Sequence, residues 1–214
     1  MTKFDGIIFD IDGTMTSTNE LIFASFNHIM NKYLNKTLTN NEIISLFGPP
    51  EDVILEECTG ENYPAARKDY YDFYADNHEM ADLYPGIYEI LDFIKSKNIP
   101  LAIFTGKGKE AAKITLKKLK IYDFFDLIIT GDDVKEHKPS PEGILKFVGK
   151  FNLTPQRILM IGDSPSDIKA ARGAEVKIAS VLWDSYSKEK VIELKSDYVF
   201  HTVGELRNFL KTSL

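Results

Sequence analysis

Lys3-Phe4-Asp5-Gly6-Ile7-Ile8-Phe9-Asp10-Ile11-Asp12-Gly13-Thr14 is the stretch whose reading decides the fold. The apolar run Ile7-Ile8-Phe9 drops abruptly into two aspartates placed two residues apart. A short continuous apolar run reads as a strand buried on both faces, so a first strand is expected over residues 4–10. Strand residues two apart point to the same side. Asp10 and Asp12 are therefore expected to face one small volume beyond the strand's carboxyl end, where open α/β sheets bind ligands. Gly13 lets the chain turn sharply there. Two carboxylates this close repel unless a cation lies between them or one holds a proton.

Beyond this stretch the periodicity changes. Ile22, Phe26, Ile29 and Tyr33 recur at helical spacing. Thr39 and Glu42 have the spacing of a capping box for a short helix. Gly48-Pro49-Pro50 breaks the chain, and further helices are expected over about 51–58 and 64–78. Residues 16–81 thus read as helices without a strand, a small bundle inserted after the first strand.

From Tyr84-Pro85-Gly86 onward, strands alternate with helices. Strands are expected at 100–104, 125–129, 157–161, 176–182 and 197–200. Helices are expected after Pro85, through Ala112 to Leu119, from Pro141 to Phe151, up to about Arg172, and over 203–210. Such alternation implies right-handed crossovers and a mostly parallel sheet. The fold class is α/β: a Rossmann-like, mostly parallel sheet flanked by helices, formed by residues 1–15 and 82–214, with the helical-bundle cap of 16–81 inserted.

Parallel strands would bring their small or acidic ends, Asp10, Thr105, Thr130-Gly131-Asp132 and Asp163, to one edge of the sheet. Lys138, in the turn His137-Lys138-Pro139-Ser140-Pro141, starts the helix leading into the Asp163 strand and is placed to reach that edge. Asp10 and Asp163 offer hard oxygen ligands, which suit Mg²⁺; Mg²⁺ takes one or two carboxylates, keeps waters and binds substrate phosphate. No His/Cys cluster has zinc spacing. A lysine and a hydroxyl suit the remaining phosphate oxygens. Phosphoryl transfer needs mainly positioning and charge neutralisation; a carboxylate can serve as nucleophile and a second carboxyl as acid and base.

The whole-chain totals narrow the class. The 214 residues suit one α/β domain or one domain with an insertion. With 43% hydrophobic and 27% charged residues, the composition is that of a globular protein with a sizeable core. A net charge of −6, with no basic run longer than Lys117-Lys118, argues against general nucleic-acid binding. One cysteine, Cys58, precludes an internal disulfide and fits a reducing compartment. Asp5 and Asp10 interrupt any signal-like apolar start, and no run approaches a membrane span. A cytoplasmic location is expected.

In order and at this spacing, Asp10-Ile11-Asp12-Gly13-Thr14, then Thr105, then Lys138 in Lys-Pro-x-Pro, then Gly162-Asp163-Ser164-Pro165-Ser166-Asp167 resemble the motifs of a haloacid dehalogenase superfamily phosphatase. The resemblance covers nearly the whole chain and is closest to phosphoglycolate phosphatases and related pyrophosphatases with a helical cap between the first two motifs. It implies that Asp10 is the nucleophile. Asp12 would be the general acid/base, its carbonyl also binding Mg²⁺. Thr105 and the Gly106 amide would bind the phosphoryl group and Lys138 would neutralise it. Asp163 would bind Mg²⁺, with Asp167 supporting it or orienting Lys138. The implied activity is Mg²⁺-dependent hydrolysis of a small phosphorylated metabolite through an aspartyl-phosphate, by a monomer or homodimer without nucleic-acid or membrane partners.

A sugar-phosphate mutase or an inorganic pyrophosphatase on the same fold is the alternative. Asp12 argues against dehalogenation, since the dehalogenases lack that second acid. Neither His28 nor His78 has the cap setting of the mutases. No lysine among Lys32, Lys36 and Lys68 is marked as a Schiff-base group. A receiver domain would place its acids, acceptor and lysine in another order. Thr105-Gly106-Lys107-Gly108 lacks P-loop spacing; Gly106 reads as a turn glycine opening a helix and Lys107 as solvent-facing. Tyr63, Tyr70, Tyr71 and Tyr74 read as helix packing, Arg67 as solvated, Asp132 and Asp133 as a polar turn, and Cys58 as a small core residue. Gly48-Pro49-Pro50 reads as a helix-to-helix turn; in the family such a turn dips towards the active site. Residues 14–19 and 79–85 would be the linkers on which the cap opens and closes.

Overall fold

A computed structural model describes residues 3–214; residues 1 and 2 of the expected 1–15 segment lie outside the described residues. In chain order the elements are β1 (Gly6–Phe9), β2 (Thr16–Ser17), α1 (Asn19–Leu34), α2 (Asn40–Ile44), α3 (Glu51–Thr59), α4 (Tyr63–Asp76) and β3 (Asp82–Leu83). Then come α5 (Ile87–Ser96), β4 (Leu101–Phe104), α6 (Lys109–Lys118), β5 (Leu127–Ile129) and α7 (Glu142–Phe151). The chain ends with β6 (Ile158–Gly162), α8 (Pro165–Gly173), β7 (Lys177–Val181), α9 (Lys188–Glu193), β8 (Tyr198–Phe200) and α10 (Val203–Ser213).

Six strands form one parallel sheet in the order β5-β4-β1-β6-β7-β8. β1 lies between β4 and β6, with Ile8 in register with Ala102 on one side and Met160 on the other. The chain winds outward from β1 to β4 and β5, then returns to β6 and winds the other way. This reversal opens a crevice at the carboxyl ends of the central strands, the usual ligand site of such sheets.

Period-two alternation divides the core between the sheet's faces. Ile7 and Phe9 pack with Ile90, Leu91, Leu116 and Leu206, from α5, α6 and α10. Ile8 packs with Phe104, Ile144, Phe147 and Ile168, joining α7 and α8 to the other face. Each large apolar side chain so buried contributes about 1.5–3 kcal/mol. A third cluster belongs to the helical insert, where Leu21, Phe26 and Ile29 of α1 meet Tyr70 and Tyr74 of α4.

The expected capping box closes: Thr39 accepts from the Glu42 amide, and the Glu42 carboxylate accepts from the Thr39 amide. Two features differ from expectation. Residues 16–81 were to lack strands, yet Thr16–Ser17 pairs antiparallel with Asp82–Leu83 at the neck of the insert. A helix also forms over Lys188–Glu193, where none is expected. Both segments are too short to display a periodicity. No helix among the described residues is long and apolar enough to cross a membrane.

Candidate active site

β1 delivers Asp10 to the crevice, and the Asp10 amide donates to Ile161 O at 2.9 Å, which holds the turn against β6. Gly13 follows with φ +75°, and a Cβ there would lie 2.6 Å from an Asp163 carboxylate oxygen. The position therefore needs glycine both for its dihedral and for the close passage of the Asp163 motif. Thr14 Oγ1 donates to Asp163 Oδ1 at 3.2 Å, joining the loops after β1 and β6.

Lys138 enters from the turn before α7. Its Nζ lies 3.0 Å from Asp10 and 2.6 Å from Asp167, and donates to Phe104 O at 3.2 Å. Asp167 is completely buried; its other oxygen accepts from the Ser164 amide (3.1 Å) and hydroxyl (2.6 Å), closing the capping box of α8. Asp167 is thus fully engaged in orienting Lys138 and starting its own helix. Oxygens of Asp10, Asp163 and Asp167 lie within 4.8 Å of one another.

Such crowding shifts the acids from their ordinary values. Burial, with Asp167 and Asp12 adding repulsion and Lys138 opposing, pushes the Asp10 carboxyl up to about 6. Burial, then Asp167 and Asp10, hold Asp163 well above the ordinary carboxylate range. For Lys138 burial pulls downward, but Asp10 and Asp167 outweigh it and raise the ammonium above its usual value. A cation beside Asp10 and Asp163 would relieve this repulsion. Their donor set is hard oxygen, which suits Mg²⁺.

The Thr105 amide continues the sheet by donating to Ile129 O at 3.0 Å, which sets Thr105, Gly106 and Lys107 beside Asp10 and Asp12 on one cavity of about 410 Å³. Asp163 and Lys138 line the same cavity. Asp167, fully buried, reaches it through Lys138.

Lys107 overturns its reading as a solvent-facing residue. Its side chain is only 1% exposed; Nζ lies 3.2 Å from Asp12 and 3.5 Å from Glu51, over the Tyr74 ring at 5.2 Å. Burial opposes its charge, yet Asp12, Tyr74 and Glu51 hold the ammonium well above the ordinary lysine value. Glu51 opens α3 directly after Gly48-Pro49-Pro50 and accepts from the Gly108 amide at 2.6 Å. Burial raises its carboxyl, while Lys107 and that amide pull it down. Sequence reasoning missed Glu51. Its signal was position, at the first turn of a helix behind the loop expected to dip towards the site. That loop does line the cavity through Gly48 and Pro49.

Other readings fall as follows. Tyr70, Tyr71 and Tyr74 are buried in the insert, and Tyr63 packs against the same cluster. Arg67 is half-exposed but pairs with Asp52 at 3.0 Å. Asp133 closes a turn on Thr130, and Asp132 accepts from the Lys109 amide at 2.7 Å. Cys58 is half-buried against the insert's core.

An open parallel sheet with acids at its switch point, set beneath a helical insert, defines a class of α/β hydrolases. The chain belongs to the haloacid dehalogenase-like hydrolase family, which it matches over residues 7–181. It is 32% identical over 208 residues to pyrophosphatase PpaX of Bacillus velezensis, covering 95% of each chain. The crystal structure of a predicted phosphoglycolate phosphatase from Haemophilus somnus shares the fold at a TM-score of 0.87 and 24% identity, covering 98% of this chain and 99% of that one. A haloacid dehalogenase-like family hydrolase from Streptococcus pneumoniae superposes at a TM-score of 0.78 and 25% identity, with 98% and 99% covered.

Proposed function

We propose that the protein is a Mg²⁺-dependent phosphatase that hydrolyses a small phosphorylated metabolite through an aspartyl-phosphate. The observation that carries this reading is the convergence of Asp10, Asp12, Thr105, Lys138 and Asp163 on one cavity at the switch point of the sheet. Residues 1–15 and 82–214 form the catalytic core, and residues 16–81 act as its cap.

Asp10 attacks phosphorus in line. The bond from phosphorus to the leaving oxygen breaks as the acyl-phosphate bond forms. Asp12 gives a proton to the leaving oxygen, then takes one from the water that attacks the aspartyl-phosphate, releasing inorganic phosphate and restoring Asp10. Thr105 and the Gly106 amide hold phosphoryl oxygens. Lys138, fixed by Asp167, neutralises the group in flight. Asp10, the Asp12 carbonyl and Asp163 would hold Mg²⁺, which supplies further charge neutralisation when bound.

The relatives named pyrophosphatase favour a second reading, in which the same steps cleave a phosphoanhydride. Phosphate release from a panel of small phosphate esters and pyrophosphate, with Mg²⁺ or EDTA, tests the proposal. Release that requires Mg²⁺ and disappears in Asp10→Asn is expected. A rearranged sugar phosphate without free phosphate would instead mark a mutase, and Asp10→Asn with near-normal turnover would remove Asp10 as nucleophile.

A further inference from the structure

The cavity has two unlike ends. Asp10, Asp163 and Lys138 make the polar floor, where the transferring phosphoryl group belongs. The insert lines the cavity mainly with apolar side chains, Ile22, Phe26, Ile44, Phe47, Pro49 and Ile54, beside Asn19 and Glu51, and neutral hydroxyls from the segments after β6 and β7 line the rest. Whatever is esterified to the phosphate would meet this uncharged lining and Glu51.

Charge in the cavity is already committed. Among the described residues that line it, Lys107 and Lys138 are the only cations, and no arginine or histidine is present. Lys138 is shared by Asp10 and Asp167. Lys107 is shared by Asp12 and Glu51, and the Gly108 amide, which could otherwise face an anion, donates to Glu51 instead. Divalent metal at the floor would serve the transferring group. A second anionic group on the substrate would meet apolar side chains, neutral polar groups and the Glu51 carboxylate, losing water without gaining a cation.

We propose that Glu51 is a specificity residue that claims Lys107, so that the substrate is a phosphomonoester whose leaving group is uncharged and partly apolar. This deepens the phosphatase reading and rests on it for turnover. It separates the chain from a pyrophosphatase and from an enzyme of phosphoglycolate, since both substrates carry a second anion beyond the transferred phosphoryl group. Uncharged groups lose less than charged ones by leaving water, and apolar ones gain against Ile22, Phe26 and Ile54.

A matched pair of compounds tests this directly. Phosphoglycolate and its carboxamide differ by one charge at nearly constant size and leaving-group chemistry; pyrophosphate is the third compound. With Mg²⁺, the wild-type protein is expected to show kcat/KM at least about tenfold higher for the carboxamide than for phosphoglycolate or pyrophosphate, a modest discrimination for one misplaced charge. In Glu51→Gln the amide oxygen still accepts from Gly108 while Lys107 is left with Asp12 alone, so the ratio should fall towards one or reverse. Binding of the same compounds to the Asp10→Asn protein, by titration calorimetry, reads the discrimination independently of turnover. Absence of phosphate release, with the binding preference intact, would sink the phosphatase reading and leave this inference standing. A wild-type preference for phosphoglycolate or pyrophosphate in turnover or binding, or a ratio unmoved by Glu51→Gln, would overturn it.

Discussion

Lys138, on the cavity, and the buried Asp167 lie 2.6 Å apart, and the same ammonium reaches Asp10 at 3.0 Å. One cation therefore serves a cluster that also contains Asp163, all of it largely or wholly out of water. Removing one partner of a buried ion pair costs about 3–5 kcal/mol, because the remaining charge is left uncompensated. Lys138→Met is accordingly expected to lose about 3 kcal/mol of stability by urea unfolding in EDTA, besides its turnover. An unchanged unfolding midpoint would show that the acids tolerate one another without Lys138.

The elevated acids give a pH dependence whose sign can be stated. Asp10 is pushed to about 6 and Asp163 also lies well above its ordinary value, so the folded protein binds protons that the unfolded chain has released. The stability these protons confer is fully present below the unfolded carboxylate value of about 4 and is lost as pH rises through about 6. Mg²⁺ competes with the same protons. Its addition should therefore raise the Tm more at pH 8 than at pH 5, read by scanning calorimetry against EDTA. Equal gains at the two pH values would remove these carboxylates from the metal site.

Inside the insert, the buried Tyr70 hydroxyl finds no hydrogen-bond partner among the described residues, and its ring sits 5.2 Å from Phe26 and 5.3 Å from Tyr71. The ring contributes packing while the hydroxyl forfeits its water. Tyr70→Phe keeps the first and removes the second, so a gain of about 1 kcal/mol in urea unfolding is expected. A loss of similar size would mean that the hydroxyl has a partner after all.

Much of this architecture could be read before any coordinates, because its signals are local. Ile7-Ile8-Phe9 falling into Asp10 announces a buried strand and what lies past its end, and the alternation after Tyr84 announces a parallel sheet. Thr39 and Glu42 announce their own helix. The environment of Lys107 depends instead on Glu51 and Tyr74, which approach from α3 and α4 of the insert. Nothing at position 107 encodes that approach. Burial of a lysine reverses the usual expectation only when carboxylates arrive with it, and these come from distant parts of the chain. The pairing of Thr16–Ser17 with Asp82–Leu83 is similarly non-local.

Opening and closing of the insert, if it occurs on this neck, would have a built-in reporter. The neck consists of the two-residue ladder Thr16↔Leu83 and Ser17↔Asp82, followed by Tyr84 N donating to Met15 O at 3.0 Å. So short a ladder resists bending weakly, and Thr18 at its edge donates to Asp12. On the far side, the insert is fastened through Glu51, which accepts from the Gly108 amide at 2.6 Å. If the insert swings away, that amide loses its acceptor and meets water, while the sheet amides of β1 and β6 stay paired. Exchange at Gly108 and in 14–19 and 79–85 should therefore slow when Mg²⁺ and a phosphate-mimicking fluoride complex are added, with the central strands unaffected. The motion would be refuted by hinge and Gly108 amides that exchange at the same rate with and without the complex. Exchange slowed uniformly across the chain would indicate general stabilisation by the ligand instead of closure.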